Sequence, residues 1–228
     1  MGYLEKGLQA TRERIDAAVR AAGRDPASVA LLAVSKTFPV AAVAAAWAAG
    51  QRRFGENYVQ EAVAKIDALA GHAGIEWHLI GPLQSNKAKL AAERFDWVQS
   101  VDREKIARAL SAARPAGRLP LSVCVQVNVS GEATKSGVRP EDAMALATTV
   151  AGLPGLRLRG IMGIPEPTTD PARERAQFRA LAHCFRRCRD AGLAVDTLSM
   201  GMSADLEVAI AEGATMVRVG TAIFGARR

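Results

Sequence analysis

With 228 residues, 49% of them apolar and 23% charged, the chain has the makings of a substantial core, which excludes general disorder. Its formal charge of +7 comes from basic residues, mostly arginine, scattered through an alanine-rich sequence; such charge speaks to solubility, so no nucleic-acid partner is expected. The longest apolar stretch, residues 40–50, falls well short of the roughly 18 to 20 residues that span a bilayer, and Glu5 and Lys6 interrupt the start where a leader would be apolar. Neither a membrane partner nor secretion is expected, and three cysteines fit reduced thiols in the cytoplasm.

A helical segment opens the chain over residues 4–22, with Leu4, Leu8, Ile15 and Val19 on one face. A strand is expected over 29–36 and an alanine-rich helix over 41–49. The second strand, 52–57, leads into a helix over 58–69, where Val59, Val63, Ile66 and Leu69 repeat at helical spacing. Strands at 76–81 and 97–101 flank a helix over 86–94, and Asp102 begins another helix. The fifth strand, 122–129, is dense in β-branched residues. Pro140 then falls near a helix start, where its missing N–H costs little. A sixth strand covers 156–164, and Asp170-Pro171 opens a long helix to about residue 190. A seventh strand at 197–202 precedes Ser203, the expected N-cap of a helix over 206–211, and the eighth strand is 216–224.

Strict alternation of strands and helices predicts a parallel α/β sheet, and eight strands favour a closed (β/α)8 TIM barrel over a doubly wound open sheet. One domain uses residues 1–228. No room is left for an eighth trailing helix, so the additional N-terminal helix is expected to cover that flank.

Function in such a barrel gathers at the C-terminal ends of the strands. Alternation along the first strand places Leu32, Val34 and Lys36 on one face, so an inward Val34 puts Lys36 at the mouth. There Lys36 reads either as a solvated strand-end lysine or as a desolvated amine suited to Schiff-base chemistry. The segments 199–203 and 217–221 offer small residues, hydroxyls and a helix start, features of a phosphate site as much as of an ordinary turn. Met216, Arg218 and Gly220 share a face; an inward Arg218 needs a carboxylate or a ligand. His78 is either a wall of the mouth or a packed, hydrogen-bonded strand histidine. Asn57 and Met162 are further candidates for the pocket wall. Cys184 and Cys188 lie on the stripe of Phe178, Leu181 and Phe185, which reads as buried thiols rather than metal ligands, so no metal is expected.

Several segments together resemble one family. They are Ala33-Val34-Ser35-Lys36-Thr37, Phe54-Gly55-Glu56-Asn57-Tyr58, Trp77-His78-Leu79-Ile80-Gly81 and Leu83-Gln84-Ser85-Asn86-Lys87. Further on come Val127-Asn128, Lys135-Ser136-Gly137, Gly160-Ile161-Met162, Leu198-Ser199-Met200-Gly201-Met202-Ser203 with Asp205, and Arg218-Val219-Gly220 with Ile223-Phe224-Gly225. In this order, over essentially the whole chain, they resemble the pyridoxal 5'-phosphate homeostasis proteins. The resemblance implies a barrel like the N-terminal domain of alanine racemase, with pyridoxal 5'-phosphate held as an aldimine on Lys36. It implies that Ser199, Gly201, Gly220 and Thr221 hold the phosphate and that Arg218 faces the pyridine nitrogen, where a cationic donor weakens the ring as an electron sink. It implies a non-catalytic protein that keeps the free aldehyde low and passes the cofactor to apoenzymes by transient contact; no long exposed apolar stripe in the sequence demands a partner, so a monomer is expected. A small amino-acid racemase using the same chemistry is the alternative, but fold-related racemases add a β-domain with an opposing tyrosine, and this chain has only Tyr3 and Tyr58. A sugar-phosphate barrel enzyme is a third possibility and leaves Lys36 without a role.

Overall fold

In a computed structural model, which describes residues 2–132 and 135–226, eight parallel strands close into a barrel in sequence order. The strands are β1 (Ala30–Val34), β2 (Arg53–Glu56), β3 (Glu76–Leu79), β4 (Trp97–Val101), β5 (Leu121–Val127), β6 (Leu156–Gly163), β7 (Thr197–Ser199) and β8 (Met216–Val219). Closure is made by β1 on β8, with Leu32 opposite Arg218 and Ala33 opposite Val219. Around them run α1 (Tyr3–Ala21), α2 (Val40–Ala48), α3 (Val59–Ala68), α4 (Ala88–Arg94), α5 (Glu104–Ala113), α6 (Ala143–Ala151), α7 (Pro171–Asp190), α8 (Leu206–Ala211) and α9 (Thr221–Phe224).

The apolar core is the shell between strands and helices. Helix α7 shows how the sequence builds it. Asp170 caps its start by accepting from the Ala172 N–H at 2.9 Å, and Pro171 occupies a first-turn position that needs no donor. Its Phe178, Leu181, Cys184, Phe185 and Cys188 are buried on one stripe, while Arg175 and Arg179 on the other face pair with Glu212. Both cysteines are therefore packed thiols.

Helix α1 buries Leu8, Thr11, Ile15 and Val19 and lies on α2, α8 and α9. Gly7 makes the approach to α9 possible: a Cβ there would stand 2.7 Å from the Ala222 carbonyl oxygen. The expectation of no eighth helix is corrected here, because residues 216–224 do not form one strand. Pairing with β1 ends at Val219; past the rim there is no ladder to join, and the chain turns at Gly220 into α9. A short apolar run cannot be assigned to strand or helix by its pattern alone. Ser203 is also corrected: α8 starts after Asp205, whose carboxylate instead accepts from the Met202 N–H at 2.5 Å.

Candidate functional site

At the C-terminal ends of the strands lies a pocket of about 280 Å³, lined by Val34, Lys36, Phe38, Asn57, Ile80, Ile164, Met202, Ser203, Ala204, Arg218, Gly220 and Thr221. Its walls are mostly apolar, and its polar groups come from neighbouring strand ends, since β8 pairs with β1 at the seam of the barrel. Lys36 enters from just beyond β1 and is half-buried. Arg218 rises from β8 and is only 4% exposed. Hydroxyls come from Ser203 in the β7–α8 loop and Thr221 at the start of α9. Phe38 stacks on Phe224 at 5.1 Å, tying the loop after β1 to α9 at the rim.

Arg218 is not held by a carboxylate within hydrogen-bond reach among the described residues. It donates to Ser199 Oγ at 2.9 Å and to the Gly163 carbonyl at 2.8 Å. Burial pulls its guanidinium down to about 10, which still leaves it charged at neutral pH. Ser199 Oγ donates in turn to Gln99 Oε1 at 2.6 Å, and the Gln99 amide meets His78 Nδ1 at 2.9 Å. His78 Nε2 faces Glu76 Oε1 at 2.8 Å, and Arg53 bonds the same carboxylate at 3.1 Å. Gln99 presents Oε1 to Ser199 and Nε2 to His78, so the donors run from Arg218 towards Glu76 and His78 accepts at Nδ1. His78 is then neutral with its proton on Nε2. Burial lowers its pKa against the opposing pull of Glu76. Burial alone would raise Glu76, but the hydrogen bond of His78, with a further one from Trp97 and the charge of Arg53, outweighs it and brings the carboxyl to about 2.

A larger cleft of about 470 Å³ opens at the other end of the barrel, among Arg12, Asp16, Gln51, Arg52, Arg53 and Glu76. Its arginines are already engaged: Arg12 on the Ala49 carbonyl, Arg52 on the Trp47 carbonyl and Arg53 on Glu76. Its described lining carries no primary amine, so the chemistry gathers at the mouth.

A family model described as the alanine racemase N-terminal domain matches residues 7–228. The pyridoxal phosphate homeostasis protein of Pseudomonas aeruginosa is 59% identical over 227 residues, covering 100% of this chain and 97% of that protein. The protein of the same name in Escherichia coli is 51% identical, covering 100% of this chain and 98% of its own. This chain belongs to the pyridoxal phosphate homeostasis protein family. PipY of Synechococcus elongatus, solved with pyridoxal phosphate bound, superposes with a TM-score of 0.84 at 39% identity, covering 97% of this chain and 100% of that one.

Set against that family, the structure gathers five of the residues singled out in the sequence: Lys36, Asn57, Arg218, Gly220 and Thr221 line the pocket. Four others stand behind it. His78 lies fully buried inside the barrel, stacked on Trp97 at 4.9 Å, rather than forming a wall of the mouth. Met162 packs in the interior with Trp97 and Cys124. The Ser199 hydroxyl is engaged by Gln99 and Arg218, and it braces the site from below. Gly201 turns the chain at φ 91°, with its Cα against Ala209, where a Cβ would come within 2.5 Å.

The apolar walls, Phe38, Ile80, Ile164 and Met202, had no signal of their own in the sequence, because loop residues follow no period. Ser203 was visible, but its hydroxyl lines the pocket rather than capping a helix.

Proposed function

We propose that this protein binds pyridoxal 5'-phosphate reversibly through Lys36 and serves the intracellular homeostasis of that cofactor without turning over a substrate. The observation that carries the reading is one pocket lined by both a half-buried lysine and a buried arginine, with hydroxyl-bearing residues at the rim. The relatives named as pyridoxal phosphate homeostasis proteins, and PipY with that cofactor bound, support it.

The residues present fit the group. The pocket, at about 280 Å³, is near the lower end of ordinary ligand sites, suited to a single-ring compound with a short phosphate arm. Gly220 keeps that arm's approach clear, since a Cβ there would press on the Val34 carbonyl at 3.1 Å. Bound pyridoxal phosphate supplies an aldehyde that exchanges between amines and a ring that can withdraw electrons.

The chain's own residues then set what is done with it. The Lys36 amine would hold the group through its aldehyde, and Ser203 and Thr221 would offer hydroxyl donors to its phosphate. Arg218, a donor that never accepts, would disfavour a proton on the ring nitrogen. Moving a proton between both faces of an amino acid's α-carbon takes two placed bases. Among the described lining residues the only ionising side chains are Lys36 and Arg218, and a charged guanidinium is no base. Exposed Thr221 and Ala204 at the rim leave a route for release to an incoming amine.

We place this carrier in the cytoplasm as a monomer that meets apoenzymes transiently. Its cysteines are free and buried. Among the described residues the large apolar side chains that are exposed, Tyr3, Tyr58, Leu119 and Ile164, come from four separate segments of the chain rather than one stripe.

The test is direct. The purified protein, given pyridoxal phosphate, is expected to turn yellow and to yield a borohydride-trapped adduct on Lys36. A protein that stays colourless overturns the reading. If it is yellow, incubation with single L-amino acids followed by chiral analysis is expected to leave the enantiomer unchanged, and rapid interconversion would make it a racemase.

A further inference from the structure

Beside the pocket, on the outer side of the barrel wall, lies a cluster of charges that the binding of cofactor does not use. Glu56, at the end of β2, is completely buried, and Lys65 of α3 is 4% exposed. Lys65 Nζ bonds Glu56 Oε1 at 2.7 Å and Glu61 Oε1 at 2.8 Å. Its third donor goes to the Ser35 carbonyl at 2.8 Å. Ser35 Oγ donates to the same Glu56 oxygen at 2.6 Å. Glu61 Oε1 also accepts from the Thr37 N–H, again at 2.6 Å.

We propose that the Glu56–Lys65–Glu61 cluster is a positioning device for Lys36, fixing its backbone so that the amine enters the pocket at a set height and angle. The inference rests on the reading of Lys36 as the point of attachment. Alternation sends Ser35 outward and Lys36 inward, so whatever holds the outward neighbours aims the inward residue. The Ser35 carbonyl belongs to the peptide plane before Lys36, and the Thr37 N–H to the plane after it. A peptide plane is rigid, so anchoring one on each side leaves Lys36 little freedom in either of its backbone dihedrals.

The anchoring is needed because the turn is strained. Thr37 has φ 67°, the only positive φ of a non-glycine among the described residues, and a β-branched side chain disfavours that region. Such conformations persist where surrounding contacts over-determine them. General stability is a poor account of the cluster. A buried ion pair gains little over apolar packing, and this one leaves Glu56 Oε2 buried without a hydrogen-bond partner. Burial accordingly raises the Glu56 pKa, against the hydrogen bonds of Lys65 and Ser35. What the cluster supplies is a fixed geometry at Lys36.

The experiment compares wild type, Lys65→Met and Glu61→Ala, each checked for folding by circular dichroism and thermal unfolding. Two ligands separate the covalent step from simple docking. Pyridoxal 5'-phosphate is followed by its lysine-bound absorbance and by mass spectrometry after borohydride. In the trapped product the Lys36 nitrogen is bonded to the former aldehyde carbon, one water has left, and borohydride has supplied the hydride. Pyridoxine 5'-phosphate, which has an alcohol in place of the aldehyde, reports docking alone. Both variants are expected to dock pyridoxine phosphate within about two-fold of wild type, while the rate of covalent attachment falls roughly ten-fold or more in Lys65→Met and less in Glu61→Ala.

Attachment at the wild-type rate in both variants overturns the proposal. So does a parallel loss for both ligands, which marks a merely structural role. If Lys65→Met does not fold, the partly exposed Glu61→Ala carries the test by the same criteria. Absence of a Lys36 adduct in wild type overturns the functional reading itself, a result separate from the variants.

Discussion

Arg218 and Ser199 meet inside the barrel at 2.9 Å, guanidinium to hydroxyl, and the bond aims an arginine that no carboxylate pairs with at hydrogen-bond distance among the described residues. Leu32 stands opposite Arg218 across the seam that closes the barrel, so this arginine sits where the first and last strands join. Its position at the pocket floor follows from strand register. Its orientation follows from the column beneath.

Removing the Ser199 hydroxyl is therefore expected to act downwards as well as upwards. In Ser199→Ala, Gln99 Oε1 loses its donor and Arg218 one acceptor, both in a buried setting. Chemical denaturation is expected to show a loss of about 1–3 kcal/mol, with weaker binding of pyridoxal phosphate. A variant as stable as wild type would mean that the interior rearranges or hydrates at no cost.

The same column sets an acid limit on stability. Burial gives His78 a folded-state pKa below its usual 6.5, so below that value the unfolded chain binds a proton that the folded chain refuses. Its stabilising contribution is present above 6.5 and is lost as the pH falls through and beyond that point. Glu76 has a folded-state value of about 2 against an ordinary 4.5; its contribution is present above 4.5 and is lost between 4.5 and about 2. Glu56 works the other way, because its raised value makes its protonated form stabilising as the pH falls. Comparing urea midpoints of wild type and His78→Asn above pH 4.5, where Glu76 stays ionised, isolates the first effect. The gap between them is expected to narrow as the pH drops below 6.5, and a constant gap would contradict a neutral His78.

Gly7 is far from the ligand yet governs the rim. In Gly7→Ala the new methyl meets backbone oxygens of Ala222 and Ile223 at 2.7 and 2.9 Å, and backbone cannot swing aside as a long side chain does. Overpacking of this kind costs about 1–3 kcal/mol. Because α9 begins at Thr221, affinity for pyridoxal phosphate is expected to fall with stability. By contrast, Gly2 has nothing within 4 Å of an added Cβ, and Gly2→Ala is expected to match wild type in thermal unfolding and in ligand titration.

The thiols are expected to be silent in the native protein. Burial pushes Cys124 up to about 12 and Cys188 up to about 11, and it raises Cys184 as well. The thiolate is the reactive species, so an aromatic disulfide reagent at pH 8 is expected to label none of the three rapidly until denaturant is added. Fast labelling of Cys184 or Cys188 would show that α7 lifts readily from the barrel.

The barrel was legible in the sequence because each strand and helix declares itself locally, through β-branched runs, amphipathic spacing and caps such as Asp170-Pro171. The period of two also placed Lys36 and Arg218 on the inner face correctly. It could not say how deep a residue sits. His78 and Met162 share that inner face but lie below the mouth, a matter of strand stagger rather than of local pattern. The partners of Ser199 were out of reach for another reason: Gln99 is 100 positions away in the chain. The clamp on Lys36 was hidden similarly, since nothing in the spacing of Glu61 and Lys65 shows that the fold brings them under Ser35 and Thr37.

The interior column has a consequence for how a ligand arrives. Every donor in it points the same way, from Arg218 towards Glu76, so no bond can be reversed without reversing all those beneath it. Such a chain polarises each of its members in the same sense. The charges at its two ends stand differently: Arg218 at the mouth has no carboxylate at hydrogen-bond distance among the described residues, whereas Glu76 at the base is bonded by both His78 and Arg53. An anionic group that enters the mouth therefore meets a buried guanidinium charge that no carboxylate at hydrogen-bond distance has already cancelled among the described residues.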